Sequence, residues 1–408
     1  MRFLLLTNPD TLHEALWKFD AVGGLLAVAT LVIGAFVCKY ALRQFEGEPR
    51  SWQFLLISIA IIAALISTDL ANTPRVLCTS WVATSLFTLA LLFRFDAKGW
   101  RGLSGRQAAL TFLFVDLLLV LGFAFAYWFP IHHQWPLVLA AEVAAIGRAG
   151  LTLRRSWVIE TVNAPTPVSA LLHAGVVNSG ALLLFRVNHW SGSYKIASYI
   201  LATVCIIVLF SLAPRINARV DLKGQLAVST VSQMTFMLLA ISIGWPLLAF
   251  THLIGHGFYK AVRFMGSGGA TGQRARSRRR VRAGKTITTA LRVSGALVLA
   301  IIAIALGFTL GNEARAVMAV FVLAAISMWW TKSAGPMRSS LQVWLIFAGG
   351  LIGYAFIVRG LVALVGNSIY WNGFQAPWWG LGFAVLALAS TTQIIERRSS
   401  SHSRGAGK

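Results

Sequence analysis

Apolar runs of about twenty residues recur along this chain from one end to the other, each long enough to cross roughly 30 Å of hydrocarbon at about 1.5 Å per residue. Nothing else in the sequence limits the fold so strongly. A segment in lipid must satisfy its own backbone polar groups, which an α-helix does and an open sheet does not, and the alternating pattern of a membrane barrel is absent. The spacing predicts thirteen transmembrane helices, at 22–41, 52–70, 76–93, 107–129, 136–153, 166–187, 194–213, 222–240, 246–265, 288–310, 315–331, 341–364 and 376–395. The fold class expected is all-α, a polytopic helical bundle. A chain that is 57% hydrophobic and 12% charged excludes an ordinary water-soluble domain.

Basic residues give the orientation. Of the 36 Lys and Arg, 26 fall at the ends of alternate segments, beginning with the loop after the first, and only 7 on the opposite side. Basic loops stay in the cytoplasm, so the N-terminus is predicted outside and the C-terminus cytoplasmic. The net charge of +23 would also suit a nucleic-acid partner, but here it is spread loop by loop, and none is expected. One stretch exceeds what topology needs: "GQRARSRRRVRAGK" (272–285) reads either as a loop meeting anionic headgroups or an acidic partner, or as a strong topogenic signal alone. Cys38, Cys78 and Cys205 lie in apolar segments without metal or disulfide spacing and read as packing. The first segment lacks a cleavage site and is expected to be retained.

Ionisable side chains within hydrocarbon are costly and mark function unless neutralised. In the first half they are Asp69, Asp116, Glu142 and Arg148, followed by His173, His252, His256 and Lys260. "THLIGHGFYKAVRF" (251–264) carries the last three at four-residue steps, one slowly rotating stripe about 12 Å long, which suits proton exchange between neighbours through water. The alternatives for the histidines are an interhelical hydrogen bond or a zinc pair lacking a third ligand, and for Lys260 snorkelling to the cytoplasmic end. "APTPVSALLHAGVVNSG" (164–180) opens a helix with Pro165 and Pro167 and puts Thr166, Ser169 and His173 on one face that can hold water. Thr230, Ser232 and Gln233, with Ser229 and Thr235, form a polar band that either hydrates a path or bonds helix to helix. Asp116 and Glu142 extend the relay if they face the same interior, whereas a Glu142–Arg148 ion pair would be structural. Asp69, at a helix end, reads as a cap or loop contact.

Three motifs in order, "PTPVSALLHAGVVNSG" (165–180), "DLKGQLAVSTVSQMTFM" (221–237) and "HLIGHGFYKAVRFMGSG" (252–268), resemble the antiporter-like subunits of respiratory complex I and Mrp-type antiporters. "YALRQFEGEPR" (40–50) and "SWVATSLFTLALLFRFDAKG" (80–99) are most similar to the membrane subunit of the DAB inorganic-carbon accumulation complex. The resemblance covers about 22–270 and implies a proton- or sodium-conducting subunit in a bacterial inner membrane. It also implies a large soluble, zinc-containing, carbonic-anhydrase-like partner; the chain itself is expected to be no enzyme and to hold no cofactor or metal. Lys260 matches the family's central lysine, with His252, His256 and His173 its flanking histidines. Three positions depart from the pattern. The family's earlier lysine is Arg148 here, which hydrogen-bonds but hardly deprotonates. A glutamate of complex I subunits is Val82, and a helix-breaking proline is Leu153. The organisation expected is an ion-conducting core (1–271), an Arg-rich cytoplasmic loop (272–287), a C-terminal bundle (288–395) and a basic tail (396–408). Complex I-like or Mrp-like antiport, and a non-conducting scaffold, are the rival readings.

Overall fold

The computed structural model describes residues 15–95, 103–129, 134–151, 156–191, 194–218 and 221–267, together with the helical residues 349, 352, 353, 356, 359, 360, 363 and 364. The chain divides into two units, Met1–Ala270 with Asn367–Phe374, and Thr271–Gly366 with Gln375–Lys408. The Arg-rich loop, the tail, Leu153 and the segments expected at 288–310, 315–331 and 376–395 lie outside the described residues.

The first unit is helical among its described residues: α1 (Ala21–Gln44), α2 (Ser51–Asp69), α3 (Pro74–Phe95), α4 (Leu103–Trp128), α5 (Trp135–Arg148), α6 (Trp157–Glu160), α7 (Thr166–Ala174), α8 (Ser179–Ser191), α9 (Lys195–Ala218), α10 (Leu222–Ser242) and α11 (Pro246–Ser267). Local chemistry sets the helix starts. Asp20 caps α1 by accepting from the Gly23 amide at 2.6 Å, and Asp221 caps α10 by accepting from Gly224 at 2.5 Å. Prolines begin α3 and α11 and sit in the first turns of α5 and α7, where a missing N–H costs nothing.

Among the described residues, seven spans are long and apolar enough to cross a membrane: Ala21–Gln44, Ser51–Asp69, Pro74–Phe95, Gly105–Trp128, Thr166–Ser191, Lys195–Leu212 and Leu222–Ser242. They differ in what surrounds them. The α7–α8 span is the most buried and α10 follows, whereas α4 exposes Leu113, Phe114 and Leu117 and α9 exposes Ile206, Ile207 and Phe210. Large apolar side chains turned outward on peripheral helices are what lipid requires, and the polar residues collect on the central helices. Around α7, the neighbours are α1 and α11; α8 lies on α5, and α10 packs against both α9 and α11.

Two expected segments come out differently. The segment expected at 136–153 is a 14-residue helix that stops at Arg148, because Gly150 takes a φ of +70° and turns the chain away. A Cβ at Gly150 would run into Ser156 and Val158, so both the left-handed backbone and the space demand glycine. The segment expected as one helix over 166–187 is interrupted: α7 ends at Ala174, a 3-10 turn covers Val176–Asn178, and α8 resumes at Ser179. Non-helical backbone at this depth is tolerated where protein buries it or a polar cavity adjoins it.

Replacing Gly150 by alanine is expected to cost at least about 1–2 kcal/mol from the left-handed backbone alone. A clearly lower melting temperature of the detergent-solubilised protein would show it, and an unchanged one would contradict the turn described.

Candidate functional site

The polar interior is built where α7, the broken turn after it, α10 and α11 meet. Lys260 of α11 is 0% exposed. Its Nζ donates to the Leu226 carbonyl at 2.9 Å and to Ser229 Oγ, both on α10. Thr230 Oγ1 donates to the same carbonyl at 2.9 Å, and Ser229 Oγ does so at 3.0 Å, which makes one turn of α10 the anchor for the amine. An amine buried without acceptors would cost several kcal/mol, so these contacts are a condition of its position.

His256, one turn back along α11, faces a different helix. Its Nδ1 lies 3.2 Å from Asn178 Oδ1. Asn178 Nδ2 donates to the Ala174 carbonyl at 2.7 Å, so Oδ1 is left to accept and the proton sits on His256 Nδ1. Nε2 of His256 is then bare, and it is buried without a hydrogen-bond partner. Gly257 makes this approach possible: a side chain there would press on Ile33, the Ala174 carbonyl and Asn178.

His173 shows the opposite arrangement. Thr161 Oγ1 donates to the Val158 carbonyl at 2.7 Å and therefore accepts from His173 Nε2 at 3.3 Å. This leaves Nδ1 bare and buried, with the ring stacked on Phe264 at 4.4 Å between centroids. His252 lies against Phe236, its ring 6.2 Å from that of His256 and its Nε2 without a partner. A neutral imidazole with a bare nitrogen can accept a proton, and His173 and His256 are both held in that form.

The expected single column on α11 needs correction. His252 lies against Phe236 and Lys260 bonds to Leu226 and Ser229, all on α10, while His256, between them on α11, meets Asn178. The set is a cluster bridging helices. Ser169 also differs from expectation: its hydroxyl turns back to the Thr161 and Ala164 carbonyls at 3.3 and 3.4 Å and closes the proline-rich turn. Lys223, counted with the loops, reaches the same Ala164 carbonyl at 3.0 Å. Ser232 and Gln233 are half-buried on α10, and Gln233 Oε1 has no partner.

The carboxylates do not join this cluster. Arg148 pairs with Asp116 at 3.6 Å, not with Glu142, and donates to Ser85 Oγ at 2.7 Å and the Trp81 carbonyl at 3.3 Å. Its guanidinium lies 4.1 Å over the Trp81 ring and 4.6 Å from that of Phe112, while the Trp81 indole donates to Asp116 at 2.8 Å. The pairing follows the packing of α3, α4 and α5, which brings residues 32 positions apart together where a helix face at i, i+6 does not. Glu142 lies near Cys205 of α9. Among the described residues no three of His, Cys, Asp and Glu converge as metal ligands.

Asp69 is more than the loop contact expected. It is buried, Thr30 of α1 donates to its carboxylate at 2.8 Å, and Arg186 of α8 donates to its backbone carbonyl while forming a two-pronged pair with Asp20. Neither Asn178 nor Thr161 stood out in the sequence. Thr161 sits between Glu160 and Asn163 and Asn178 beside Ser179, and no spacing sets either apart from its polar neighbours.

A broken central helix beside a buried lysine and bare imidazoles defines a membrane subunit of the ion-translocating, antiporter-like class. The family profile described as "NADH:quinone oxidoreductase/Mrp antiporter, TM" matches residues 75–341, and the chain belongs to that family. It is 26% identical over 413 residues to "Probable inorganic carbon transporter subunit DabB" of Bacillus subtilis (strain 168), covering 94% of this chain and 80% of that protein. "NADH-ubiquinone oxidoreductase chain 5" of Pongo abelii is 28% identical over 280 residues, 64% of this chain and 46% of that one. The fold is shared with a chain of the Mrp complex from Dietzia sp. DQ12-45-1b, with a TM-score of 0.61 at 19% identity, over 95% of this chain and 52% of that chain.

Asp116→Leu is expected to destabilise the protein by about 3–5 kcal/mol by leaving the Arg148 guanidinium unpaired. The double variant with Arg148→Met should recover most of the loss, as read from melting temperatures in detergent. A single variant no worse than the double would rule out the pair as a structural element.

Proposed function

We propose that the chain is the ion-conducting membrane subunit of a DAB-type inorganic-carbon uptake complex, in which proton or sodium entry energises a large soluble zinc-containing partner that hydrates CO2. The fully buried Lys260, held by α10 on the same helix as His252 and His256, carries the reading. Relatives named as inorganic carbon transporter subunits over most of the chain's length support the carbon-uptake assignment. In this reading Lys260 exchanges a proton with a bare imidazole nitrogen through water, while the Asp116–Arg148 pair holds the scaffold. The subunit has about thirteen helices in a bacterial inner membrane, its N-terminus outside and its C-terminus in the cytoplasm. The core extends over 1–271, followed by the Arg-rich loop, the C-terminal bundle and the tail.

A subunit of a quinone oxidoreductase or a cation/proton antiporter is the second reading. It is favoured by the family match and by the relatives named as NADH-ubiquinone oxidoreductase chain 5.

Purification of the tagged chain from its own membranes separates the two readings. A soluble, zinc-containing protein should come with it, whereas quinone-oxidoreductase or Mrp subunits in its place would establish the second. In vesicles holding the purified complex, Lys260→Ala should lower ion flux by about a hundredfold or more. His256→Ala should lose flux without losing assembly. Native flux in a correctly assembled Lys260→Ala complex would leave the subunit a scaffold.

A further inference from the structure

A cavity of about 30 Å³ lies at the break between α7 and α8, large enough for one or two waters. Its polar lining is Thr30 of α1, Asp69 at the end of α2, and Asn178 and Ser179 at the break, with the backbone of Ala174 and Gly175; Leu253 and Ile254 of α11 close it. Thr30 stands about 14 Å along α1 from its first residue, so the cavity penetrates well below the helix ends. Asp69 is a carboxyl held at that depth by a single hydroxyl, while the neighbouring cation is already taken: Arg186 pairs with Asp20 and touches only the Asp69 backbone. Asn178 belongs to both structures. It forms part of the cavity wall and holds the ring of His256.

We infer that the Asp69 carboxyl and this cavity form a proton-loading site on the side of the membrane where the N-terminus lies, delivering protons to His256 past Asn178. The inference rests on the proposed passage of ions by His256 and Lys260. In the loading step an O–H bond forms at the Asp69 carboxylate as one breaks in an oxonium ion at the N-terminal side. In the release step the carboxyl O–H breaks and the proton passes to cavity water and on to His256, where the new N–H bond forms at the bare Nε2, since Nδ1 already carries the proton held by Asn178. No other reactant is needed.

The lining argues for a proton over a metal cation. A sodium ion stripped of its hydration needs several oxygens converging on one point, and of the few side-chain oxygens here that of Asn178 is already engaged by His256. The remaining walls are largely Leu26, Ala29, Ile33, Leu65 and Leu182. A few polar groups in an apolar pocket suit a short water chain. The charged groups near Asp69 are Asp20 and Arg186, and their mutual pairing leaves the Asp69 carboxyl as the free proton carrier there.

The test uses the complete complex in lipid vesicles loaded with a pH-sensitive dye, with an imposed proton gradient in sodium-free buffer. Asp69→Asn removes the carrier, and Ala29→Phe fills the cavity without changing any titratable group. Each should slow proton flux by at least about tenfold, with Lys260→Ala as the silent reference. Native rates in both variants alongside a silent Lys260→Ala would overturn the loading site and leave the pathway reading intact. Flux in the native complex that requires added sodium would overturn the proton assignment in favour of a cation site. Native flux in Lys260→Ala would instead bring down the pathway itself.

Discussion

A buried amine must be answered by acceptors, and the structure around Lys260 is arranged to do so. Its partners are a helix carbonyl and a hydroxyl on α10, so α10 and α11 cannot slide or rotate independently without exposing an unpaired polar group in a low-dielectric interior. That constraint fixes which face of α11 points to α10. By the rotation of the helix, it also fixes His256 toward the break after α7. Asn178 can meet His256 only because the helix is broken there and Gly257 leaves room.

The two best-defined imidazoles are set in opposite tautomers by ordinary neighbours. Asn178 is oriented by the Ala174 carbonyl and Thr161 by the Val158 carbonyl, so each presents an acceptor to its histidine. The consequence is chemical as well as structural. Both rings keep a bare nitrogen inside the protein, which is the form able to take up a proton, and both are near the same amine. Arg148 illustrates the contrary case. Caged by Trp81, Phe112, Ser85 and Asp116, a guanidinium that hardly deprotonates is used to join α3, α4 and α5.

Much of this was legible in the sequence, for a definite reason. Apolar length marks a membrane helix without any knowledge of its neighbours, so α10 and α11 begin at Leu222 and Pro246 where the pattern puts them. The four-residue step of His252, His256 and Lys260 likewise singles out α11. What could not be read depends on packing between helices. The Arg148 partner is Asp116, set by how α4 lies on α5, and no spacing within one helix encodes that. The break after Ala174 hid in a run of small and apolar residues whose composition suits an unbroken helix equally well. Asp69 looked like a helix-end residue because its depth is set by α1, through Thr30, and not by its own segment.

The account stands on the protonation of the imidazoles beside Lys260, and this can be observed directly. Nitrogen-15 NMR of histidine-labelled protein in lipid, with His173 and His256 assigned by substitution, distinguishes a protonated ring nitrogen from a bare one. The account predicts Nδ1–H with bare Nε2 at His256, and Nε2–H with bare Nδ1 at His173. Finding the same tautomer at both positions, or rings with both nitrogens protonated in the resting protein, would contradict it.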